Sequence, residues 1–288
     1  MNKIFFLLAA AWGLALWSCS EKQEYILPSD VPVIVVGATD TSDTPSDSLI
    51  RRVVVEELTG VRCPNCPEGT ATLVGLGDQY GEQLIVVSIH AAVGYDQPYA
   101  ESKYDFRTAD GTSMANFIGA AQGFPSAAVN RRIVPPETEA YLPRTAWAGI
   151  IGEELVEVPQ IDIKLKNTYT GASRKLDIDV DLIPTVDLSG EHRLTVLITQ
   201  DSIVDYQKVN LEKVPNYVHR HVMRDILTQP TGDIISEALV QDVVVKKNFS
   251  INLPAGWDEK HCSVVAFVHH GTTPDKEVLQ AAEAHVIQ

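Results

Sequence analysis

The order of apolar and polar residues divides the chain into regimes. Residues 51–58, RRVVVEEL, form a β-branched run bounded by Thr59 and Gly60 and read as a buried strand. Over 68–80 the apolar residues Ala71, Leu73, Val74 and Leu76 follow helical spacing up to Gly81, with Gly75 and Gly77 weakening the end. Residues 83–90, QLIVVSIH, are a second buried run. Strand, helix and strand within about 40 residues make a βαβ unit, which calls for parallel pairing. Residues 91–122 read as an insertion with helical turns, punctuated by Pro98 and by Asp110-Gly111. GFPSAAVNRR, at 123–132, predicts a short strand that starts at a proline. Trp147, Ile150, Ile151 and Leu155 then place a helix over 145–156.

Beyond Pro159 the period falls to two. Ile161, Ile163 and Leu165 alternate with charged residues, as do Leu176, Ile178, Val180 and Leu182, and then Leu194, Val196 and Ile198. Further runs lie at 217–224, 242–251, 262–269 and 279–287, with Gly171, Pro184 and Gly190 as turns. About seven short strands at this spacing predict a β-sandwich of immunoglobulin-like size, without the Cys…Trp…Cys marks of an antibody domain.

The first nineteen residues belong to no fold. Lys3 precedes an apolar run at 4–16 that has the length of a signal-peptide core and is too short for a membrane span. It ends in Leu16-Trp17-Ser18-Cys19, which resembles the lipobox of bacterial lipoproteins. That resemblance makes Cys19 the lipid-bearing first residue of the mature protein and the bilayer its partner; ordinary secretion, with Cys19 discarded, is the plainer alternative. Ser20, Glu21 and Glu24 resemble outer-membrane sorting. Residues 20–50 read as a tether, rich in Thr, Ser and Asp at 38–48, with VPVIVVG (31–37) as one candidate short strand. The expected organisation is a leader (1–19), a linker (20–50), an α/β domain (51–158) and a sandwich (159–288).

A formal charge of −15 spread along the chain excludes nucleic acid, whose phosphates demand clustered Lys and Arg. It equally excludes attachment to an anionic membrane by charge alone. Export places the thiols in an oxidising compartment. The cysteines are Cys19, Cys63, Cys66 and Cys262, too few for a disulfide scaffold. Cys262, within HCSVVAFV, reads as a small buried apolar residue.

The stretch VRCPNCPE (61–68) carries the candidate chemistry. Where a C-x-x-C opens a helix, its first sulfur lies among unpaired N–H groups at the positive end of the dipole. The Cys63 thiol then falls below its free value of about 8.5. Arg62 acts in the same direction, Cys63 is the attacking thiol and Cys66 the resolving one. Pro64 suits the first helical position, and Pro67 is tolerable only within the first turn. Two other readings stay open. One is a stable local disulfide, although so small a loop gains little from closure. The other is zinc, for which no second C-x-x-C or spaced histidine pair completes four ligands. His219 and His221 share a face of an expected strand but lack a third ligand, so no metal and no cofactor is expected. His90 ends a strand near the expected active face, either modulating the thiolate or hydrogen-bonded as structure. Arg131 and Arg132 read as solvated strand-end charges or as contacts to a partner.

The C-x-x-C after a strand, with Glu57 six residues before Cys63 and Phe124-Pro125 further on, resembles thioredoxin-like folds. The resemblance implies that Glu57 relays protons to the dithiol and that Pro125 is a cis-proline offering its backbone to a bound polypeptide; otherwise Glu57 is a half-buried acid on a strand. EELTGVRCPNCPEG, VVSIHA, GFPSAAVNR and YVHRHVMR together resemble the Omp-twenty-eight-related outer-membrane lipoproteins of Bacteroidetes. That family joins a thioredoxin-like domain to a β-sandwich, which implies an α/β thioredoxin-like domain followed by an all-β immunoglobulin-like sandwich, anchored by lipid in the outer membrane. Two functions follow as expectations: thiol–disulfide exchange on envelope or surface polypeptides, or a non-catalytic adhesin or assembly protein whose C-x-x-C is structural.

Overall fold

A computed structural model describes residues 49–271 and 276–287. The leader, Cys19 and the candidate strand at 31–37 lie outside the described residues.

The elements follow in order. β1 (Val53–Thr59), α1 (Cys66–Tyr80), β2 (Leu84–His90), α2 (Ala109–Ile118), β3 (Ser126–Val129), β4 (Tyr141–Pro143) and α3 (Arg144–Glu154) occupy the first half. β5 (Ile161–Thr170), β6 (Lys175–Pro184), β7 (His192–Gln200), β8 (Ile203–Val209), β9 (Glu212–His219) and β10 (Val222–Ile226) come next. β11 (Asp233–Ile234), β12 (Val245–Asn252), β13 (Cys262–His270) and β14 (Val278–His285) complete the chain.

β1 and β2 pair in parallel, from Val53 opposite Leu84 to Thr59 opposite His90. Every residue of both strands is buried, which is why their sequences run apolar rather than alternate. α1 and α3 cover one face around Leu73, Leu76, Trp147 and Ile151. α2 covers the other with Met114 and Ile118. Trp147 is fully buried, and truncating such a side chain to alanine typically costs about 3–5 kcal/mol.

The expected fold class is overturned. Among the described residues strand outweighs helix, 42% against 18%. One sheet of nine strands runs β14-β13-β7-β10-β2-β1-β3-β4, with β11 beside β7. An α/β thioredoxin-like domain followed by a separate immunoglobulin-like sandwich is therefore not what forms. The join is a single parallel bridge, Val222 opposite Ser88, reinforced by the Ser88 N–H donating to the His221 carbonyl at 2.8 Å. Hydrophobic period tells which residues form strands but not which strands are neighbours. The sheet-on-sheet part of the expectation does occur: β12-β6-β5 faces β7 and β13 across a core of Ile161, Ile178, Leu182, Val196 and Val264.

β8 and β9 form a separate two-stranded hairpin. The apolar run at 217–224 breaks because His221 takes a left-handed backbone (φ 52°), ending β9 and starting β10. Arg131 also departs from expectation. It is buried, not solvated, and its guanidinium grips Glu56 through two bonds of 2.6 and 2.7 Å. Among the described residues no helix is long and apolar enough to cross a membrane.

Candidate functional site

Cys63 and Cys66 are joined as a disulfide with their Cα atoms 5.4 Å apart. Helix α1 begins at Cys66, with Asn65 as its cap residue and a proline in its first turn, so the sulfurs do sit at a helix start. They do not face solvent. Cys63 is 2% exposed and Cys66 1%.

The cover is β8. The Lys208 N–H donates to the Val61 carbonyl at 2.7 Å, and the Asn210 N–H to the Pro64 carbonyl at 3.0 Å. The Gln207 amide donates to the carbonyls of Cys63 (3.1 Å) and Gly60 (3.3 Å). On the other side the Arg62 N–H donates to the Tyr95 carbonyl at 2.8 Å. A β-carbon at Gly60 would stand 2.5 Å from that same oxygen, so this approach requires glycine. The disulfide loop is thus held between the hairpin and the segment around residue 95. Asp205 ties those two together by accepting from the N–H groups of Lys103 and Tyr104.

Glu57 and Pro125 both reach the first turn of α1. A β-carbon at Gly69 would lie 2.7 Å from Pro125 and 3.1 Å from the Glu57 carboxylate, so glycine permits this packing. The Phe124–Pro125 bond is cis. Glu57 is fully buried and accepts from Ser88 Oγ at 2.9 Å and Thr70 Oγ1 at 3.2 Å. Burial raises its carboxyl to about 7, and the two hydroxyls only partly offset this. Behind Cys66 is a cavity of about 10 Å³, room for one water, lined by Thr70, Ser88, His90, Gln207 and His219 among others.

Arg62 is not turned to the sulfurs. Its guanidinium donates to the Pro98 carbonyl and lies 5.0 Å over the Tyr99 ring. His90 packs with Phe106 (4.8 Å) and His219 (5.9 Å). Burial first, and the neighbouring His219 second, push His90 down to about 3. Burial likewise pushes His219 down to about 4. Both imidazoles are therefore neutral, and the buried His90 Nδ1 has no partner. His219 and His221 do not form a shared face: His219 faces the Tyr206 carbonyl, and His221 lies 3.6 Å from Asp201.

The structure therefore gathers Cys63, Cys66, Glu57 and Pro125, sets His90 on the wall of the cavity behind Cys66 and leaves Arg62 engaged elsewhere. Sequence reading missed Gln207, Asp205, Ser88 and Thr70. Burial alternates over β8, but its inward positions include Asp205 and Gln207, so IVDYQKV shows no apolar alternation that would mark them.

Comparisons with known proteins follow the fold. HBP35 of Porphyromonas gingivalis superposes with a TM-score of 0.65 at 19% identity, over 83% of this chain and 76% of that one. A protein of Agrobacterium tumefaciens superposes at 0.53 and 14% identity, over 84% and 97%. A domain of the outer membrane lipoprotein Omp28 from Porphyromonas gingivalis gives 0.32 at 17% identity, over 46% and 91%. At such identities the first two speak for the fold alone. No curated protein matches the sequence. The family described as outer membrane protein Omp28 matches residues 113–287, more than half of the chain, and the protein belongs to that outer-membrane family.

Proposed function

We propose that the chain is an outer-membrane binding or assembly protein, anchored by lipid on Cys19, in which the Cys63–Cys66 disulfide is structural. The observation that carries this reading is burial: the two cysteines are 2% and 1% exposed beneath a hairpin hydrogen-bonded to their loop. Attack on a disulfide, or by a thiolate, needs access to sulfur. The match to the family begins at residue 113 and so lends the dithiol no activity. The disulfide holds the carbonyls of Cys63 and Pro64 in the arrangement that β8 meets. Anchoring through Cys19 predicts that Cys19→Ser loses fatty-acid labelling and membrane association.

Glu57 favours a second reading, thiol–disulfide exchange. A buried carboxyl near 7, on the first turn of the helix that carries Cys66, is suited to moving a proton at neutral pH. One experiment separates the two. The native, lipidated protein is equilibrated in glutathione buffers, and its thiols are trapped with a maleimide. A structural disulfide stays oxidised to a potential below about −300 mV and its thiols label slowly before unfolding. A potential between about −120 and −200 mV with rapid labelling of Cys63 establishes exchange instead.

A further inference from the structure

A second place in the molecule is built for a ligand, far in kind from the disulfide. Arg51, Arg131, Arg132, Arg174 and Arg193 each hold a glutamate. Arg224, on β10, holds none. No hydrogen bond or ion pair to it is present among the described residues, and its Nη1 is buried without a partner. An unsatisfied buried donor is costly, typically about 1–3 kcal/mol. The chain carries 38 acidic residues, so a counter-ion was not in short supply.

Two separate segments converge on this guanidinium. The rings of Tyr104 and Phe106, from the segment after β2, lie 5.9 Å from its carbon, and the Trp257 ring, from the turn before β13, lies at 5.1 Å. Aromatic packing holds a guanidinium by its flat faces and leaves its in-plane N–H groups for an acceptor. Tyr104 is fixed by its own N–H, which donates to Asp205, and Trp257 by its carbonyl, which accepts from Arg174 at 2.7 Å. Cys262 is close by but supplies no counter-charge, because burial pushes its thiol up to about 12. Gln200 adds a second orphan. Its Oε1 is buried and unpartnered, and the residue pairs with both Val222 and Cys262 across the sheet.

We propose that Arg224, walled by Tyr104, Phe106 and Trp257, is a binding site for the carboxylate of a partner polypeptide. One guanidinium edge fits one planar carboxylate. A phosphate dianion would call for a further free cation, and Arg174, beside Trp257, is already held by Glu259. The site shares Asp205, the anchor of Tyr104, with the cover of the disulfide, but its titration reads Arg224 and not the sulfurs, so either reading can fail alone.

Trp257 reports on it directly. Of the four tryptophans two lie within the leader, and Trp147 is fully buried in the α3 core. The mature lipoprotein in detergent is titrated at constant ionic strength with acetate, with a short peptide bearing a free C-terminal acid, with the same peptide amidated, and with chloride. Saturable change in tryptophan emission is expected with acetate and the acid peptide, and none with amide or chloride. Arg224→Lys should raise the dissociation constant by at least about tenfold, and Arg224→Leu should remove the response. A peptide affinity above that of acetate supports a polypeptide source, and equal affinities overturn that part of the proposal. Equal responses to acetate and chloride in the unmodified chain overturn the site itself, as does an unchanged titration in Arg224→Leu.

Discussion

Glu56 and Glu57 are consecutive on β1, equally buried, and point to opposite faces of the same sheet. On one face Glu56 meets Arg131 in a two-bond pair, and that guanidinium lies 4.9 Å from the Phe267 ring and 5.6 Å from Phe117. On the other face Glu57 meets only the hydroxyls of Ser88 and Thr70, and its carboxyl rises to about 7. The lesson is that burial alone does not fix the state of an acid. A cation makes a buried carboxylate part of the frame, whereas hydroxyls leave it holding its proton near neutral pH.

The first face also fastens the two halves of the chain. Phe267 belongs to β13, and the Val278 N–H donates to the Asn130 carbonyl at 2.9 Å; outside this face, Arg51 joins Glu154 of α3 to the carbonyls of Val278 and Leu279. Breaking it should have the largest effect. Arg131→Met leaves Glu56 buried and unpaired, and is expected to cost about 3–5 kcal/mol in urea unfolding. Replacing both residues, as Arg131→Met with Glu56→Leu, should recover most of that loss. If the double variant is no better than the single one, the pair is not the source of the cost.

Titration sharpens the second face. Burial raises Glu57 from 4.5 to about 7, so between those values the folded chain holds a proton that the unfolded chain has released. Its contribution to stability is whole below 4.5 and is lost as pH climbs through about 7, a change of about 3 kcal/mol. His90 and His219 act in the opposite sense. They are pushed from 6.5 down to about 3 and about 4, so stability falls as pH drops below 6.5 and the unfolded imidazoles charge. Glu57→Gln, which mimics the neutral acid, should flatten the alkaline fall and leave the acid one. Urea midpoints from pH 4 to 8.5 check this, and parallel curves for the two proteins would sink it.

Much of this frame was readable beforehand, because it depends on local rules. The apolar runs at 53–55 and 84–87 announced buried strands, and Gly81, at φ 57°, does end the α1 helix as read. Cys63 and Cys66 could be named from their spacing, Glu57 and Pro125 from the resemblance to thioredoxin-like folds. What failed was everything set by distant partners. Nothing local places β10 beside β2 or seats Gln207 on the Cys63 carbonyl. Arg131 reads as a solvated charge or a partner contact because its acid lies 75 residues away. The burial of the sulfurs is illegible for the same reason, since their cover comes from a hairpin more than 100 residues downstream.

That cover sets the smallest and most local of the expected effects. Gln207→Leu removes the donor that holds the carbonyls of Gly60 and Cys63 and leaves the backbone bonds of Lys208 and Asn210 in place. The Gly60 carbonyl keeps the Cys63 N–H, but the Cys63 carbonyl is left short of a donor, which costs about 1–3 kcal/mol, charged against the seating of the hairpin. Arg131→Met should act differently, weakening the whole fold and raising labelling only in proportion to global unfolding. In Gln207→Leu the reduced Cys63 should label about tenfold faster or more at low denaturant, while the global urea midpoint moves little. Equal labelling rates in Gln207→Leu and the parent would mean that the sulfurs are reached only through global unfolding, so that both faces of β1 open together.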